Sequence, residues 1–311
     1  MRRDLIGYGF APPRLRWPGG AKVAVSLVVN FEEGAEMSIE AGDPENERVG
    51  EVLSVVPPGR RDLGMEQVFA YGTRAGLPRF LDAFDRAGVR ATFWMCGRAV
   101  QRSPGLAREI VRRGHEPGCH GWVWRPNADY ATVEEERVAV QRATDAIEGA
   151  TGVRPAGYFC RGSASPHTRA LLRDLGYAYD SNALDDDLPY RCPETGMLVL
   201  PYALDSNDMK FFHPNGFVLP DAFAGYVAAA LDQLIEEGRR GVPRMLSVGF
   251  HLRICGRPAR FRAVEAILRE LERRGGDVWI ATRQEIAAVA AAQLPDDTGM
   301  HADPALRLSE N

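Results

Sequence analysis

Two adjacent glutamates directly after a mostly apolar run are the first residues of this chain that could do chemistry. The run at 25–31 is rich in β-branched residues, and Glu32, Glu33 and Gly34 follow it. Such a run is typical of a strand buried on both faces of a parallel sheet. Carboxylates do not belong in that core, so we expect them at the carboxyl edge of the sheet, where α/β proteins build their sites. The pair could serve in acid/base catalysis, and the alternative is an ordinary solvated loop start.

Four later strand ends also carry side chains that transfer protons or hold charge. These side chains are His120, Arg161, Asp180 and His251. In a barrel of parallel strands all of them would lie at the same rim as the glutamates. A single strand-end histidine is more often structural, but five such ends in one chain favour a shared site.

The elements that must position these residues alternate between strand and helix. Strand-like runs lie near 22–30, 91–95, 115–120, 157–161, 177–180, 244–251 and 278–280, and helical periodicity fills most of the intervals. This alternation predicts an α/β fold with a parallel sheet and crossover helices, and the number of repeats favours a (β/α) barrel over an open sheet. No glycine-rich phosphate loop follows a strand, so a nucleotide-binding fold has no support.

Two long irregular segments interrupt this alternation. Residues 34–66 and 182–216 are polar and contain several prolines. Connections of that length inside a compact domain are usually functional loops or insertions. We therefore expect one domain over residues 1–293 that carries both insertions, followed by a mobile polar tail at 294–311.

The composition argues against several classes of partner. The 311 residues carry a net charge of −4, which provides no basic field for nucleic acid or acidic lipid. No apolar run is long enough to span a membrane, and no apolar signal segment follows the basic N-terminal residues. The five cysteines form no C-x-x-C pair, so we expect reduced thiols in a cytoplasmic protein and neither a disulfide framework nor a zinc site.

The strand-end motifs resemble those of a known family. Five stretches are similar, in order, to the five motifs of the polysaccharide deacetylase (NodB-homology) superfamily. They lie at 31–34, 119–122, around 161, 180–181 and 246–251. The resemblance implies an incomplete (β/α)7-type barrel that hydrolyses acetamides on sugars with a divalent metal. It implies a general base at Glu32 and a general acid at His251. Glu33 and His120 fall on two of the three metal-ligand positions.

Two departures from that pattern point to one branch of the superfamily. Glutamates replace both aspartates of the pattern, and Trp124 stands where the third metal ligand, a histidine, is expected. This Glu-His-Trp set is similar to that of the PuuE-type allantoinases, as are the stretches at 3–9, 179–181, 186–190, 207–209 and 251–258. The resemblance implies that the insertions form an extra layer over the C-terminal rim, and that the protein is a homotetramer acting on a small cyclic ureide.

The missing histidine also bears on the substrate through chemistry alone. Catalytic zinc usually has three protein ligands, and tryptophan cannot replace one, so Glu33 and His120 are only weak candidates for a metal site. Without a Lewis acid an acetamide is a poor target, whereas the leaving nitrogen of a hydantoin or imide is conjugated to a second carbonyl. Acid/base catalysis, worth about 10²–10⁴-fold per group, could then suffice. We therefore predict no cofactor and a cyclic ureide or imide substrate.

The predicted catalytic roles centre on His251 and the glutamate pair. His251 and either Glu32 or Glu33 would form the acid/base pair, and the sequence leaves open which glutamate takes part. His120 would bind substrate or water in the former metal position. Trp124 would wall the pocket and exclude solvent.

The remaining polar residues are predicted to bind substrate or to orient the catalytic groups. Arg161 could orient a glutamate or stabilise an oxyanion, and Asp180 could orient a histidine or Arg161. Asn207 and Asp208, in the second insertion, are further candidates for substrate contact.

Four functions are weighed on this basis. A metal-independent allantoinase comes first, and a related hydrolase of cyclic imides or other ureides comes second. A metal-dependent deacetylase of peptidoglycan or chitin oligomers is less favoured, because an export signal and the second histidine are missing. A catalytically dead barrel used for binding is opposed by the retained Glu32, His120, Arg161 and His251.

Overall fold

The apolar run before the glutamates forms β1 (Val23–Phe31), a strand whose nine residues are all buried. The computed structural model of the chain describes residues 3–51 and 54–295. Most of the predicted polar tail, from residue 296 onward, lies outside the described residues. Branched and apolar side chains on both faces of β1 pack into two core clusters, one on each side of the sheet, which explains why the strand tolerates so few polar residues.

One mixed sheet holds the strands together. The later strands are β2 (Thr92–Met95), β3 (Glu116–Cys119), β4 (Gly157–Tyr158), β5 (Tyr179–Asp180), β6 (Tyr190–Arg191), β7 (Leu198–Val199), β8 (Arg244–His251) and β9 (Val278–Ile280). Their order is β6-β7-β5-β4-β3-β2-β1-β8, and β9 pairs with the first residues of β1. Every described strand pair is parallel except β6 with β7.

Helices cover the outside of this curled sheet. They are α1 (Leu63–Tyr71), α2 (Leu77–Ala87), α3 (Gly97–Arg102), α4 (Pro104–Arg112), α5 (Val133–Thr151), α6 (Thr168–Asp174), α7 (Pro220–Arg239), α8 (Pro258–Arg274) and α9 (Arg283–Ala291). A π-helical turn, Gly72–Gly76, joins α1 directly to α2. The Thr132 hydroxyl accepts a hydrogen bond from the Glu135 backbone amide at 3.1 Å and so caps α5.

The predicted α/β barrel is confirmed, and the second insertion also takes part in the sheet. Residues 182–216 contribute β6 and β7 and then cross to the other end of the sheet. Leu200 donates its amide to Asp180, and Gly249 in β8 donates its amide to Ser206 at 3.0 Å. The segment at 200–207 therefore joins the two ends of the curled sheet.

The first insertion lies over the strand ends. The Arg98 guanidinium at the start of α3 binds the carbonyl oxygens of Gly34 and Glu36 and the carboxylate of Asp43. The Trp124 amide donates to the Ala35 carbonyl at 2.9 Å. These contacts fix the insertion against the rim where the predicted catalytic residues lie.

The structure bears on two further predictions, that the thiols are reduced and that no segment spans a membrane. All five cysteines are buried and free. No helix in residues 3–51 or 54–295 combines the length and the apolar character needed to cross a membrane.

Candidate active site

Glu32 is the centre of a buried cluster of charged side chains at the end of β1. Its Oε1 lies 3.3 Å from His120 Nε2 and 3.4 Å from His251 Nε2, and its Oε2 lies 2.5 Å from Arg253 Nη1. Burial by itself would raise the pKa of Glu32, but the positive groups Arg253 and His251 beside it hold it well below its usual value. Glu32 is therefore a carboxylate at neutral pH.

His251 ends β8 and is oriented by Asp208. Its Nδ1 lies 2.6 Å from Asp208 Oδ1, and Asp208 Oδ2 also accepts the backbone amides of His251 and Cys255. Burial alone would lower the pKa of His251, but the Glu32 and Asp208 carboxylates beside it raise it to about 9. The imidazole is thus protonated at neutral pH, and its Nε2 can donate towards Glu32.

His120 follows β3 and presents its Nε2 to Glu32 from another side. Its Nδ1 lies 2.6 Å from the Phe159 carbonyl oxygen, and its ring stacks on the Phe159 ring at 5.3 Å. Because a carbonyl only accepts, Nδ1 carries the proton, and a neutral ring then offers a lone pair at Nε2. Glu32 Oε1 and His120 Nε2 are therefore two converging acceptors, which suits a water molecule that donates to both.

Arg253 completes the cluster and is the functional residue that sequence reasoning missed. Its guanidinium lies 4.1 Å from the ring centroid of Phe69 and 4.6 Å from that of Trp124, and the side chain is fully buried. Nη1 binds Glu32, while Nε and Nη2 have no hydrogen-bond partner among the described residues. Its position two residues after the strand-end histidine was the available signal.

Glu33 lies apart from this cluster, although it is the next residue. Gly34, at a φ of 93°, turns the chain directly after it. The Glu33 Oε2 accepts the Glu32 backbone amide, whereas its Oε1 packs against Gly72 and has no partner among the described residues. Burial raises the pKa of Glu33 to about 8, although Arg253 pulls it down. Glu33 is therefore mostly a neutral carboxylic acid at pH 7.

Trp124 separates the cluster from an open cavity. Trp124 and Arg161 line this cavity of about 570 Å³, together with residues of the first insertion. The Arg161 guanidinium lies 3.7 Å from the Trp124 ring centroid and binds the Glu47 carboxylate at 2.6 Å. Arg161, which was expected to orient a glutamate or stabilise an oxyanion, therefore pairs with Glu47, and the arginine that pairs with Glu32 is Arg253.

Two other predicted binding residues make structural contacts instead. Asp180, which was expected to orient a histidine or Arg161, accepts from Arg169 Nε at 2.8 Å and from the Asn182 backbone amide. Asn207 accepts the Met209 amide and donates to the Tyr202 hydroxyl at 2.9 Å. The structure therefore brings neither side chain into the cluster around Glu32.

The residues of this cluster do not fit a metal ion. Within residues 3–51 and 54–295, no group of three His, Cys, Asp or Glu side chains could hold one. The Trp124 ring stands four residues after His120, and the Arg253 cation already neutralises Glu32. A divalent ion would face a buried positive charge at this point, which disfavours its binding.

Comparison with known proteins places this geometry in a family. A model of the polysaccharide deacetylases matches residues 65–179. A Schizosaccharomyces pombe protein assigned to the polysaccharide deacetylases is 34% identical over 94% of this chain and 98% of its own. The chain belongs to the polysaccharide deacetylase family. The resemblance in the strand-end motifs is thereby confirmed, and the chain is a hydrolase of the deacetylase type.

Two solved structures of this family are similar over nearly the whole chain. A Pseudomonas aeruginosa PAO1 protein assigned to the polysaccharide deacetylases is 40% identical, with a TM-score of 0.86, over 93% of this chain and 97% of its own. The PuuE allantoinase is 39% identical, with a TM-score of 0.88, over 94% of this chain and 98% of its own. The family member described here is therefore equally similar to proteins named for two different activities.

Proposed function

We propose that this protein opens the ring of a small cyclic ureide, with allantoin as the first candidate, by acid/base catalysis without a metal. The observation that carries the proposal is the buried relay Asp208–His251–Glu32 beside His120, in a site that lacks a metal-ligand set. The similarity to PuuE allantoinase supports the choice of substrate.

The first half of the reaction uses the converging acceptors. A water held by Glu32 Oε1 and His120 Nε2 points its free lone pair at the ring carbonyl carbon. The water oxygen bonds to that carbon, the C=O π pair moves to the carbonyl oxygen, and Glu32 Oε1 takes the water proton. The product of this step is a tetrahedral oxyanion.

The second half uses the proton on His251. As the pair on the oxyanion returns to carbon, the ring C–N bond breaks and its electrons go to nitrogen, which receives the proton of His251 Nε2. Glu32 then passes its new proton to His251 across the 3.4 Å between Oε1 and Nε2. Both groups thereby return to their starting states.

The proposed substrate class follows from the fact that these residues supply proton transfer but no Lewis acid. The leaving nitrogen of a hydantoin lies between two carbonyls, so its negative charge is delocalised as the bond breaks. The nitrogen of an N-acetylated sugar has no such relief and needs stronger activation of the carbonyl. The burial of Glu32, His120 and His251 also favours a substrate small enough to be enclosed.

The test is hydrolysis by the purified protein with and without EDTA, together with metal analysis of the same sample. We expect allantoin to be opened at the same rate in both conditions, and a His251→Ala variant to lose about 10²–10⁴-fold in kcat. Turnover of succinimide but not allantoin would move the substrate to cyclic imides. Turnover of an N-acetylglucosamine oligomer that EDTA abolishes would refute the proposal.

A further inference from the structure

The buried guanidinium of Arg253 lies beside Glu32, one of the two residues that would hold the attacking water, and one of its edges has no hydrogen-bond partner among the described residues. Arg253 is 0% exposed, and only its Nη1 is engaged by a carboxylate, that of Glu32. Its Nε and Nη2, which have no partner in the described part of the chain, are the two nitrogens of one edge of the guanidinium. Their N–H bonds run parallel, which is the geometry that grips a carboxylate or a carbonyl oxygen.

Two buried N–H donors of a cation without hydrogen-bond partners lower the stability of the fold. We therefore expect a ligand to bind at this edge. A buried donor without a partner costs about 1–3 kcal/mol, and more when it belongs to a charged group. The rings of Phe69 and Trp124 lie against the guanidinium at 4.1 and 4.6 Å and restrict how it can turn. The edge is therefore held in place before a substrate arrives, as a preorganised electrostatic site requires.

We propose that the free Nε/Nη2 edge of Arg253 binds the ring carbonyl oxygen under attack and is the fixed positive charge of this site. The inference rests on the proposed cyclic-amide hydrolysis and names the group that holds the oxyanion. When water adds to the carbonyl carbon, the π pair moves to the oxygen that Arg253 binds. When the pair returns and the C–N bond breaks, the carbonyl oxygen of the new carboxylic acid remains on the same edge, and the acid then loses its proton to solvent to give the carboxylate.

The neighbouring carboxyl groups are arranged so that this charge stays available. Glu32 uses Nη1 alone, and Glu33, although adjacent in sequence, directs its Oε2 to a backbone amide and its Oε1 to Gly72. A second carboxylate paired with Arg253 would occupy the free edge, leave a net negative charge beside it and repel the oxyanion. The side chain that sequence reasoning placed with a possible metal thus leaves Nε and Nη2 of Arg253 without a partner.

The test compares Arg253→Lys with Arg283→Lys as a matched control. Lysine keeps the charge and can still pair with Glu32, but it lacks the two-nitrogen edge. Arg283 is as fully buried as Arg253, but its nitrogens bind Ser181, Ser26 and two backbone carbonyls away from the site. We expect Arg253→Lys to lose about 10²–10³-fold in kcat on allantoin. We expect Arg283→Lys to lose stability without that loss in kcat.

A binding measurement separates this inference from the proposed function. N-carbamoylglycine carries a carboxylate where a hydantoin has its ring carbonyl, and its Kd can be measured by calorimetry without turnover. We expect Arg253→Lys to bind it at least about tenfold more weakly than the wild type and Arg283→Lys to bind it as the wild type does. An Arg253→Lys variant within threefold of the wild type in both kcat and Kd would overturn the inference. If the wild type opens no cyclic amide, the proposed function fails while the calorimetric comparison still decides the role of the edge.

Discussion

His120 and His251 both direct Nε2 towards Glu32, yet different groups hold the other nitrogen of each ring. A carbonyl oxygen fixes the proton of His120 on Nδ1, whereas the Asp208 carboxylate stabilises a second proton on His251. The first ring can therefore accept a hydrogen bond and the second can donate one. The Phe159 carbonyl beside His120 and the Asp208 carboxylate beside His251 thus give the two histidines opposite hydrogen-bonding roles.

The two glutamates can be told apart by a matched pair of variants. Glu32→Gln should lose at least about 10²-fold in kcat, because the proton acceptor is removed. Glu33→Gln should keep most of the activity, since Glu33 is mostly a neutral acid at pH 7 and a glutamine has a similar shape. Steady-state kinetics on both variants would measure this. The reverse ranking would assign the proton transfer to Glu33.

The fall of kcat at alkaline pH should reflect the raised pKa values of His251 and Glu33. His251 must be protonated to act as the acid, so kcat should fall as pH rises through about 9. Ionisation of Glu33 near pH 8 adds a negative charge that weakens the attraction of Arg253 for the oxyanion, so the fall should begin there. In Glu33→Gln only the limb near 9 should remain. A wild-type profile that stays flat to pH 10 would contradict the assignment of His251.

Restoring the family histidine should not restore a metal. In Trp124→His the ligand spacing of the family pattern returns, but Glu33, which holds the carboxylate position of that pattern, is mostly a neutral acid at pH 7, and the Arg253 cation stays buried in the site. We expect no stoichiometric zinc in the single variant after dialysis, and zinc uptake only when Arg253→Met is added. Metal analysis of the two proteins measures this, and full zinc loading of Trp124→His alone would contradict it.

The sequence predicted the types of the central residues but not their partners. Glu32, His120 and His251 were found because each ends or directly follows a buried strand, a position that local pattern reveals. The pairing of Arg253 with Glu32 spans 221 positions, and local periodicity carries no information at that distance. Arg161 was the strand-end arginine, so the contact with a site glutamate was expected of it, whereas in the structure Arg253 makes that contact.

At the scale of elements, the π-helical turn between α1 and α2 brings backbone against the site. The turn Gly72–Gly76 has a buried glycine at each end. A Cβ on Gly72 would overlap the Glu33 carboxylate, and one on Gly76 would overlap the Leu252 backbone. The turn thus permits a close approach that a side chain would block. The sequence predicted α2 but gave no sign of the turn, because its spacing differs from a regular helix by a single residue.

Gly72→Ala should therefore destabilise the protein, in contrast to another helical glycine. The new methyl group would displace Glu33, which we expect to cost about 1–3 kcal/mol and to slow turnover. Gly149, inside α5, has open space around its Cβ position, so Gly149→Ala should gain up to about 1 kcal/mol. Urea denaturation midpoints of both variants test this. Equal effects would show that the contact with Glu33 does not matter.

At the scale of the molecule, the barrel depends on a segment that is not a strand. β1 pairs along most of its length with β8, and both strands were predicted from their long apolar runs. The pairs β5–β7 and β6–β7 involve two residues each, which is too short to leave a period in the sequence. The path at 200–207 that joins the sheet ends was predicted only as an irregular insertion. Its role depends on contacts with β8 that are distant in sequence.

Gly249→Ala should disturb this junction. Its Cβ would overlap the Asn207 amide and the Tyr202 hydroxyl, so the segment would have to move away from β8. We expect a loss of about 1–3 kcal/mol in the free energy of unfolding and lower activity, since Asp208 follows Asn207. Gly225→Ala in α7, where the Cβ position is open, is the control. Thermal unfolding and kcat of both variants provide the measurement.

Because Asp208 follows this junction, its position determines how the protein would lose activity on warming. The segment before Asp208 is held to β8 by a few hydrogen bonds and one isolated bridge, not by a full ladder. Such segments open locally at a lower free energy than the whole fold. When this one opens, His251 loses Asp208, one of the two carboxylates that keep it charged. Heat inactivation should therefore set in below the melting temperature and be reversed by cooling.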